Sequence, residues 1–497
     1  MNVGMRPLTD TPPTASSAYR AVEAVKDQTG SPEHQRGVPS GLMRVKRPTV
    51  ISIFVPGCSV EVAMRLLVRR SRVRTGMAAG LVAAVLSVGF SAPSAQAKDP
   101  VSRWIVVFKD SVPDPGKLAT AQAAPYRAKV NHVYDVAAGG QALKGYTVDA
   151  TAEQIAAIRT DPRVDFIEPD RVEQIPEPPK AAATTTGHKP PPGRHGRGGV
   201  PFAGDPLRAE QWGLFQIGAS TATRVPSPPR VGVANLDTGA DLNHPDLRVA
   251  GALNFSDSPT AGDLNGHGTH VAGIIQAPNN GIGVVGVAPG VKLWSVKVVN
   301  DDESFEFSDV AAGLAWVTHN AKAKNIRVAN IEVATATDSP VLRKAVQVAA
   351  AAGVILVAAA GNFGTTQLQY PAAYPELLAV AATDQDNQRA DFSSYGANWV
   401  DIAAPGVDIW STGPTYPNSQ GLLTYDTLSG TSQAAPFVAA TVVLCLYSGH
   451  CKGDYRRVFD RIGRDSLPIA GTGTEYRYGL VQATCYWQKN APSCRHR

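Results

Sequence analysis

The sequence has little net charge and little cysteine, and the apolar run near its N-terminus is short; each shortage narrows what the chain can be. Its formal net charge is only +5 over 497 residues, with the basic residues gathered around Arg65–Arg74 and the termini. No basic face is left for a nucleic acid, so none is expected as a partner. Five cysteines, with no histidine pattern beside them, do not make a zinc module. The apolar stretch Gly76–Phe90 is too short to favour a spanning helix, so no stable membrane anchor is expected. What is present is an ordinary globular composition, 43% hydrophobic, enough for a substantial core and one large domain with additions.

Residues 64–97 read as a secretory signal. Arg65, Arg69, Arg70, Arg72 and Arg74 form its basic region, Gly76–Phe90 its apolar core, and Ala95-Gln96-Ala97 a small-residue cleavage site. Signals stand at N-termini, so Met64 is a candidate start and residues 1–63, rich in Pro, Ser and Thr, a mis-assigned or disordered extension. Beyond the signal lie Cys445, Cys451, Cys485 and Cys494. An even count in an exported chain points to two disulfides, in any of three pairings.

Residues 98–175 read as a separate module. Strands are expected at Arg103–Phe108, around His132–Val136, at Gln141–Val148 and at Val164–Ile167. Helices are expected at Lys117–Val130 and Ala152–Thr160, the second opened by the capping box Thr151-x-x-Gln154. The order β-α-β-β-α-β is that of a small ferredoxin-like α+β unit. Residues 176–206, with P-E-P-P-K and K-P-P-P-G-R-H-G-R-G-G, cannot bury a core and read as a linker. From 207 to 497, short apolar strands (Val231–Leu236, Lys292–Val299, Ile326–Val333, Val354–Ala359, Leu377–Ala382, Val400–Ala403) alternate with helices His267–Gln276, Ser308–Ala323 and Ser339–Ala352. That alternation predicts an α/β fold, a mostly parallel central sheet with helices on both faces. Its chemistry belongs beyond the carboxyl ends of the strands.

Leu428–Val438, L-S-G-T-S-Q-A-A-P-F-V, is where that chemistry is expected. Ser432 opens an apolar run from Ala434 to Leu446 that predicts a buried helix, with Pro436 in its first turn. The positive end of a helix favours developing negative charge, although an N-cap serine is the plainer reading of Ser432 alone. Asp237 ends a strand in A-N-L-D-T-G-A, His267 opens a helix in N-G-H-G-T-H-V-A-G-I, and Asn362 ends a strand in A-A-A-G-N-F-G. Each has a plain reading too: a strand-end turn, or the triplet aspartic proteases carry; a metal pair with His270 that lacks a third ligand; a turn residue. Together, in the order Asp, His, Ser, they fit a nucleophile, its base and the carboxylate that fixes the base's tautomer, with an amide to meet the oxyanion. Ser432 lacks the G-x-S-x-G frame of an α/β-hydrolase.

On these residues, together with D-T-G-A-D-L-N-H-P-D-L, G-V-A-P, N-Q-R-A-D-F-S-S-Y-G, A-P-G and G-T-S-Q-A-A-P, the chain from about Trp212 to Ala483 resembles the subtilisin-family (subtilase) serine proteases. The resemblance implies Asp237, His267 and Ser432 as the catalytic triad, Asn362 as the oxyanion donor and His270 as a helix-packing residue. Residues 102–175, ending F-I-E-P-D, similarly resemble the inhibitory propeptide of that family. This implies an intramolecular inhibitor and folding template, cut away after Asp170 and before Trp212.

The chain also departs from the family. Where N-M-S-L-G is usual along the strand that pairs with substrate, Asn330–Ala334 reads N-I-E-V-A, and Gln369 stands where a small residue is common. Glu332, Val333, Ala334, Gly361 and Gln369 are the expected substrate-binding residues, with Glu332 close to the cleft or turned out to solvent. The usual preference for large apolar P1 residues is then no longer implied. Gln433 replaces a usual methionine and Phe437 a common histidine. No cofactor is implied for the chemistry; a structural calcium is, at Asp246 and Asn280, against the alternative of a tight Asn-Gly turn. The expectation is a secreted, monomeric serine endopeptidase acting on polypeptide substrates and made as a self-processed pre-pro-enzyme. Its rival is a subtilase-like binding protein, catalytically inactive or self-inhibited by a propeptide that stays docked.

Overall fold

The structure, a computed structural model, describes residues 100–176, 204–219 and 231–486. The N-terminal extension, the signal segment, most of the linker and Cys494 lie outside them, as does the side chain of Cys485.

In the first module β1 (Ser102–Phe108), α1 (Pro115–Ala123), β2 (Lys129–Ala138), β3 (Gln141–Ala150), α2 (Ala152–Arg159) and β4 (Val164–Pro169) follow in the expected order. Their antiparallel sheet runs β2-β3-β1-β4. Both halves of the Thr151–Gln154 capping box are made. The first helix is shorter than the expected Lys117–Val130. Pro125 has no N–H with which to continue it, and Arg127 turns the chain at a left-handed φ of 52° before β2. Side chains of β1 alternate between faces: Val106 and Phe108 pack beneath α1 and α2, while Ile105 and Val107 join Tyr134, Val136 and Leu143 against the large domain. A short strand, β5 (Val172–Gln174), follows.

The large domain comprises α3 (Trp212–Gln216), β6 (Gly232–Asp237), β7 (Val249–Asn254), α4 (His267–Gln276), β8 (Lys292–Lys297), β9 (Ser304–Glu306), α5 (Phe307–Lys324), β10 (Ile326–Ile331), α6 (Pro340–Ala351), β11 (Ile355–Ala359), β12 (Leu377–Thr383), β13 (Ile402–Pro405), β14 (Ile409–Thr412), β15 (Tyr425–Leu428), α7 (Thr431–Ser448) and α8 (Tyr455–Arg464). Seven strands form a parallel sheet in the order β13-β12-β11-β10-β6-β8-β7. Helices α5 and α6 cover one face and α4, α7 and α8 the other. The order reverses between β6 and β10, so their carboxyl ends open a crevice, the place such sheets reserve for ligands.

Several elements exceed what periodicity predicts. β7 holds Gly251, where a Cβ would come within 2.5 Å of the Trp294 ring, so that glycine marks close packing rather than a turn. Helix α7 is buried along nearly its whole length, as expected, but Pro436 lies inside it, beyond the first turn. Its missing N–H leaves the Ser432 carbonyl without an intrahelical donor. Long and apolar enough to cross a membrane, α7 is 89% buried and is instead the core helix. At its end Cys445 is bridged to Cys451.

Two acids of the first module cap helices of the second. Glu168 accepts from Val341 N–H at 2.8 Å and from Ser339 Oγ, at the start of α6. Asp170 accepts from Ser308 N–H at 3.1 Å, at the start of α5. Carboxylates suit the positive ends of helices, but burial dominates here and pushes Glu168 up to about 7 and Asp170 up to about 6. Both carboxyls therefore take up protons on docking, which favours the docked form at low pH and weakens it as pH rises through about 6 to 7. Once the modules are severed, dissociation of the first should rise by roughly tenfold or more between pH 5 and pH 8. Size-exclusion chromatography of the cut complex measures this; dissociation that is flat with pH contradicts it.

Candidate active site

Asp237 sits at the end of β6, fully buried. Its Oδ1 lies 2.8 Å from His267 Nδ1 and accepts Thr238 N–H at 2.7 Å, while Asn235 Nδ2 donates to Oδ2 at 3.4 Å. His267 is the first residue of α4, and two glycines bring it there. Gly266 adopts φ 113°, and a Cβ on Gly268 would stand 2.2 Å from the Gly239 carbonyl oxygen, so only glycine lets the helix meet the β6 turn this closely. Asp263, a residue the sequence reading passes over, ties the two together. It accepts from Thr238 Oγ1, Gly266 N–H, Thr269 N–H and Thr269 Oγ1.

Burial alone would lower the His267 pKa. The Asp237 carboxylate, through its charge and hydrogen bond, outweighs burial, and with Glu332 and Glu303 lifts the imidazole to about 9. His270 lies one turn on, fully buried, with Nε2 2.9 Å from the Ile409 carbonyl oxygen. Burial, reinforced by His267, pushes it down to about 3, as befits a neutral packing residue.

Asn362 follows β11. Its Oδ1 accepts from both Thr431 N–H and Thr431 Oγ1 at 2.9 Å. That pair of donors decides which way the amide faces and turns Nδ2 outward, where it donates to the Pro176 carbonyl oxygen at 3.2 Å. Ser432, in the first turn of α7 and 5% exposed, lines the same cleft as His267, Asn362, Ile175 and Pro176. Four residues far apart in sequence thus converge on one crevice.

None of the expected substrate-binding residues is among those lining this cleft; Gly361 adjoins Asn362 in the chain and Glu332 lies beside Ser432. Val333, Ala334 and Gln369 are buried in this docked form. Thr335 and Tyr370 exchange backbone hydrogen bonds at 3.0 and 2.7 Å, which brings Ala334 and Gln369 into neighbouring segments. A Cβ on Gly361 would stand 3.2 Å from the Ala334 Cβ, so the two walls are close. Glu332 is turned neither outward nor into solvent: it is 1% exposed. Its Oε1 accepts from Asn330 Nδ2 at 2.7 Å, which also donates to Asn235 Oδ1 at 2.8 Å. A buried polar chain therefore runs from Asp237 through Asn235 and Asn330 to Glu332. Burial holds the Glu332 carboxyl well above the usual range, with the Asp237 charge adding to it and His267, Asn330 and Ser432 opposing.

Asp246 and Asn280 meet each other rather than presenting oxygens to a shared centre. Asn280 Oδ1 accepts Ile282 N–H at 3.1 Å, so Nδ2 is the atom that faces Asp246 Oδ1, at 3.0 Å, while Val284 N–H occupies Oδ2. Nearby, Asp205 accepts from Asn280 and Gly281 N–H, with the buried guanidinium of Arg208 exerting its charge on it. Calcium takes six to eight oxygens, and N–H donors aimed at the carboxylates do not fit that set. Chelation with EDTA is accordingly expected to leave Tm unchanged; a fall reversed by added calcium would show that the loop rearranges around the ion.

Residues 230–450 match a family model described as the subtilase family, and residues 88–175 one described as peptidase inhibitor I9. An alkaline protease of Alkalihalobacillus alcalophilus is 39% identical over 300 residues, covering 60% of this chain and 68% of the relative. Subtilisin BL of Lederbergia lenta is 46% identical over 235 residues, 47% of this chain and 82% of its own. Alkaline elastase YaB of Bacillus sp. (strain YaB) is 34% identical over 374 residues, 73% and 86% of the two chains.

Proposed function

Since the chain belongs to the subtilase family and is a subtilisin-like serine endopeptidase with an inhibitor I9 propeptide, we propose that Asp237, His267 and Ser432 are its catalytic triad and Asn362 its oxyanion donor. In this reading Ser432 Oγ attacks the carbonyl carbon of a bound peptide as His267 Nε2 takes its proton. Asp237 holds Nδ1–H and stabilises the imidazolium. The negative oxygen forms in front of Asn362 Nδ2, and His267 returns the proton to the departing amine. Water, activated by the same imidazole, then hydrolyses the acyl-enzyme.

The observation that carries this is the Pro176 carbonyl, delivered by the chain itself to Asn362 Nδ2 in the cleft that His267 and Ser432 line. The same observation supports a zymogen that processes itself. The signal-like segment and the Cys445–Cys451 bridge support a protein exported to an oxidising compartment; in this reading it acts there on polypeptides, as a monomer. The alkaline working range implied by the names of relatives such as the alkaline protease fits a base raised to about 9.

Asn362→Ala is expected to lower kcat by roughly 10²–10³ with KM little changed, the size known for loss of this donor in subtilisin. Matured protein should also be labelled by a fluorophosphonate on Ser432. An intact chain that never labels would instead fit the self-inhibited binding protein, which the docked first module also accommodates.

A further inference from the structure

We propose that the first maturation cut falls on the carboxyl side of Pro176. The inference rests on the protease reading above and adds to it the register of the chain's own substrate segment. Two independent anchors hold that register. On one side β5 pairs antiparallel with β9, Val172 opposite Glu306, Glu173 opposite Phe305 and Gln174 opposite Ser304, and Ile175 N–H donates to the Glu303 carbonyl at 3.1 Å. On the other side Thr335 Oγ1 donates to Glu173 Oε2 at 2.9 Å.

A slip of one residue would turn Glu173 away from Thr335 and reverse every side chain of the strand. In the observed register one carbonyl, that of Pro176, reaches Asn362 Nδ2, whose orientation is set by Thr431. Proline also has no N–H to carry the ladder further. The reaction is ordinary peptide hydrolysis. Ser432 Oγ bonds to the Pro176 carbonyl carbon, the C–N bond to the next residue breaks, and His267 passes the Ser432 proton to the departing amine. Water then releases the Pro176 carboxylate and restores the hydroxyl.

The test uses the full chain, wild type and Ser432→Ala, sampled early in maturation with intact-mass analysis of the released first module and fluorophosphonate labelling of the remainder. The expected result is a wild-type fragment whose first-formed C-terminus is Pro176, absent from Ser432→Ala. A Ser432-dependent fragment first ending at another residue overturns the assignment while leaving the protease reading in place. No fragment and no label overturns both.

Discussion

Ser432→Ala is expected to lower kcat by about 10⁶-fold, the loss known for subtilisin without its nucleophile, and to leave the full chain uncut. The size follows from how the parts depend on each other. His267 and Asp237 have no function in acyl transfer unless a hydroxyl lies beside the imidazole, so removing Ser432 removes the contribution of all three. The substitution takes one oxygen from a residue that is 5% exposed at the start of a helix whose fold rests on its apolar length. Far-ultraviolet circular dichroism and Tm should therefore stay close to wild type. Hydrolysis of a peptide amide and the intact mass of the purified chain measure the two effects. A Ser432→Ala chain that still matures in purified form would show that another protease makes the cut.

Peptidase activity is also expected to rise severalfold or more from neutral into alkaline pH, because the Asp237 carboxylate holds the His267 imidazole above its ordinary value. The sign follows from the role of the base: only neutral His267 can take the Ser432 proton, and raising its pKa moves that form to higher pH. Glu332 gives the profile a second handle. Its carboxyl is buried beside Ser432, faces Asp237 and His267, and is tied to Asn330, while Glu303 also acts on His267. Once ionised it favours the imidazolium. Glu332→Gln keeps the shape and the acceptor for Asn330 but cannot ionise, so the acidic limb of kcat/KM should move to lower pH. An unmoved limb would mean that Glu332 stays neutral throughout and serves only to pack.

The two modules and their order were legible because their signals are local. The Thr151–Gln154 capping box, the alternation in β1 and the continuous apolar strands from β6 to β13 each report on a few neighbouring residues. Failures have local causes as well: Pro125 stops α1 early, and Pro436 lies further into α7 than a first-turn proline would. The candidate site was legible for a different reason. Asp237, His267, Asn362 and Ser432 each stand at an element end inside a run of glycine and small residues, and those glycines mark where helix and strand must touch.

By itself, then, the sequence determined the kinds of element, their order and which four side chains stand at their mouths, because period, caps and turn chemistry act over a few residues. Only the tertiary structure decided what those side chains meet. β5 pairs with β9 across a gap of more than a hundred residues, Glu168 and Asp170 cap helices of the other module, and Asn280 turns an N–H rather than an oxygen toward Asp246. Of the two places expected for Glu332, close to the cleft or out in solvent, the fold takes the first: the carboxyl is buried beside Ser432 and tied to Asn330, because β6 and β10 run side by side and set Asn235 opposite Asn330. These contacts depend on which segments the fold places together and on how far their polar atoms are removed from water. Neither quantity exists until the chain has closed on itself.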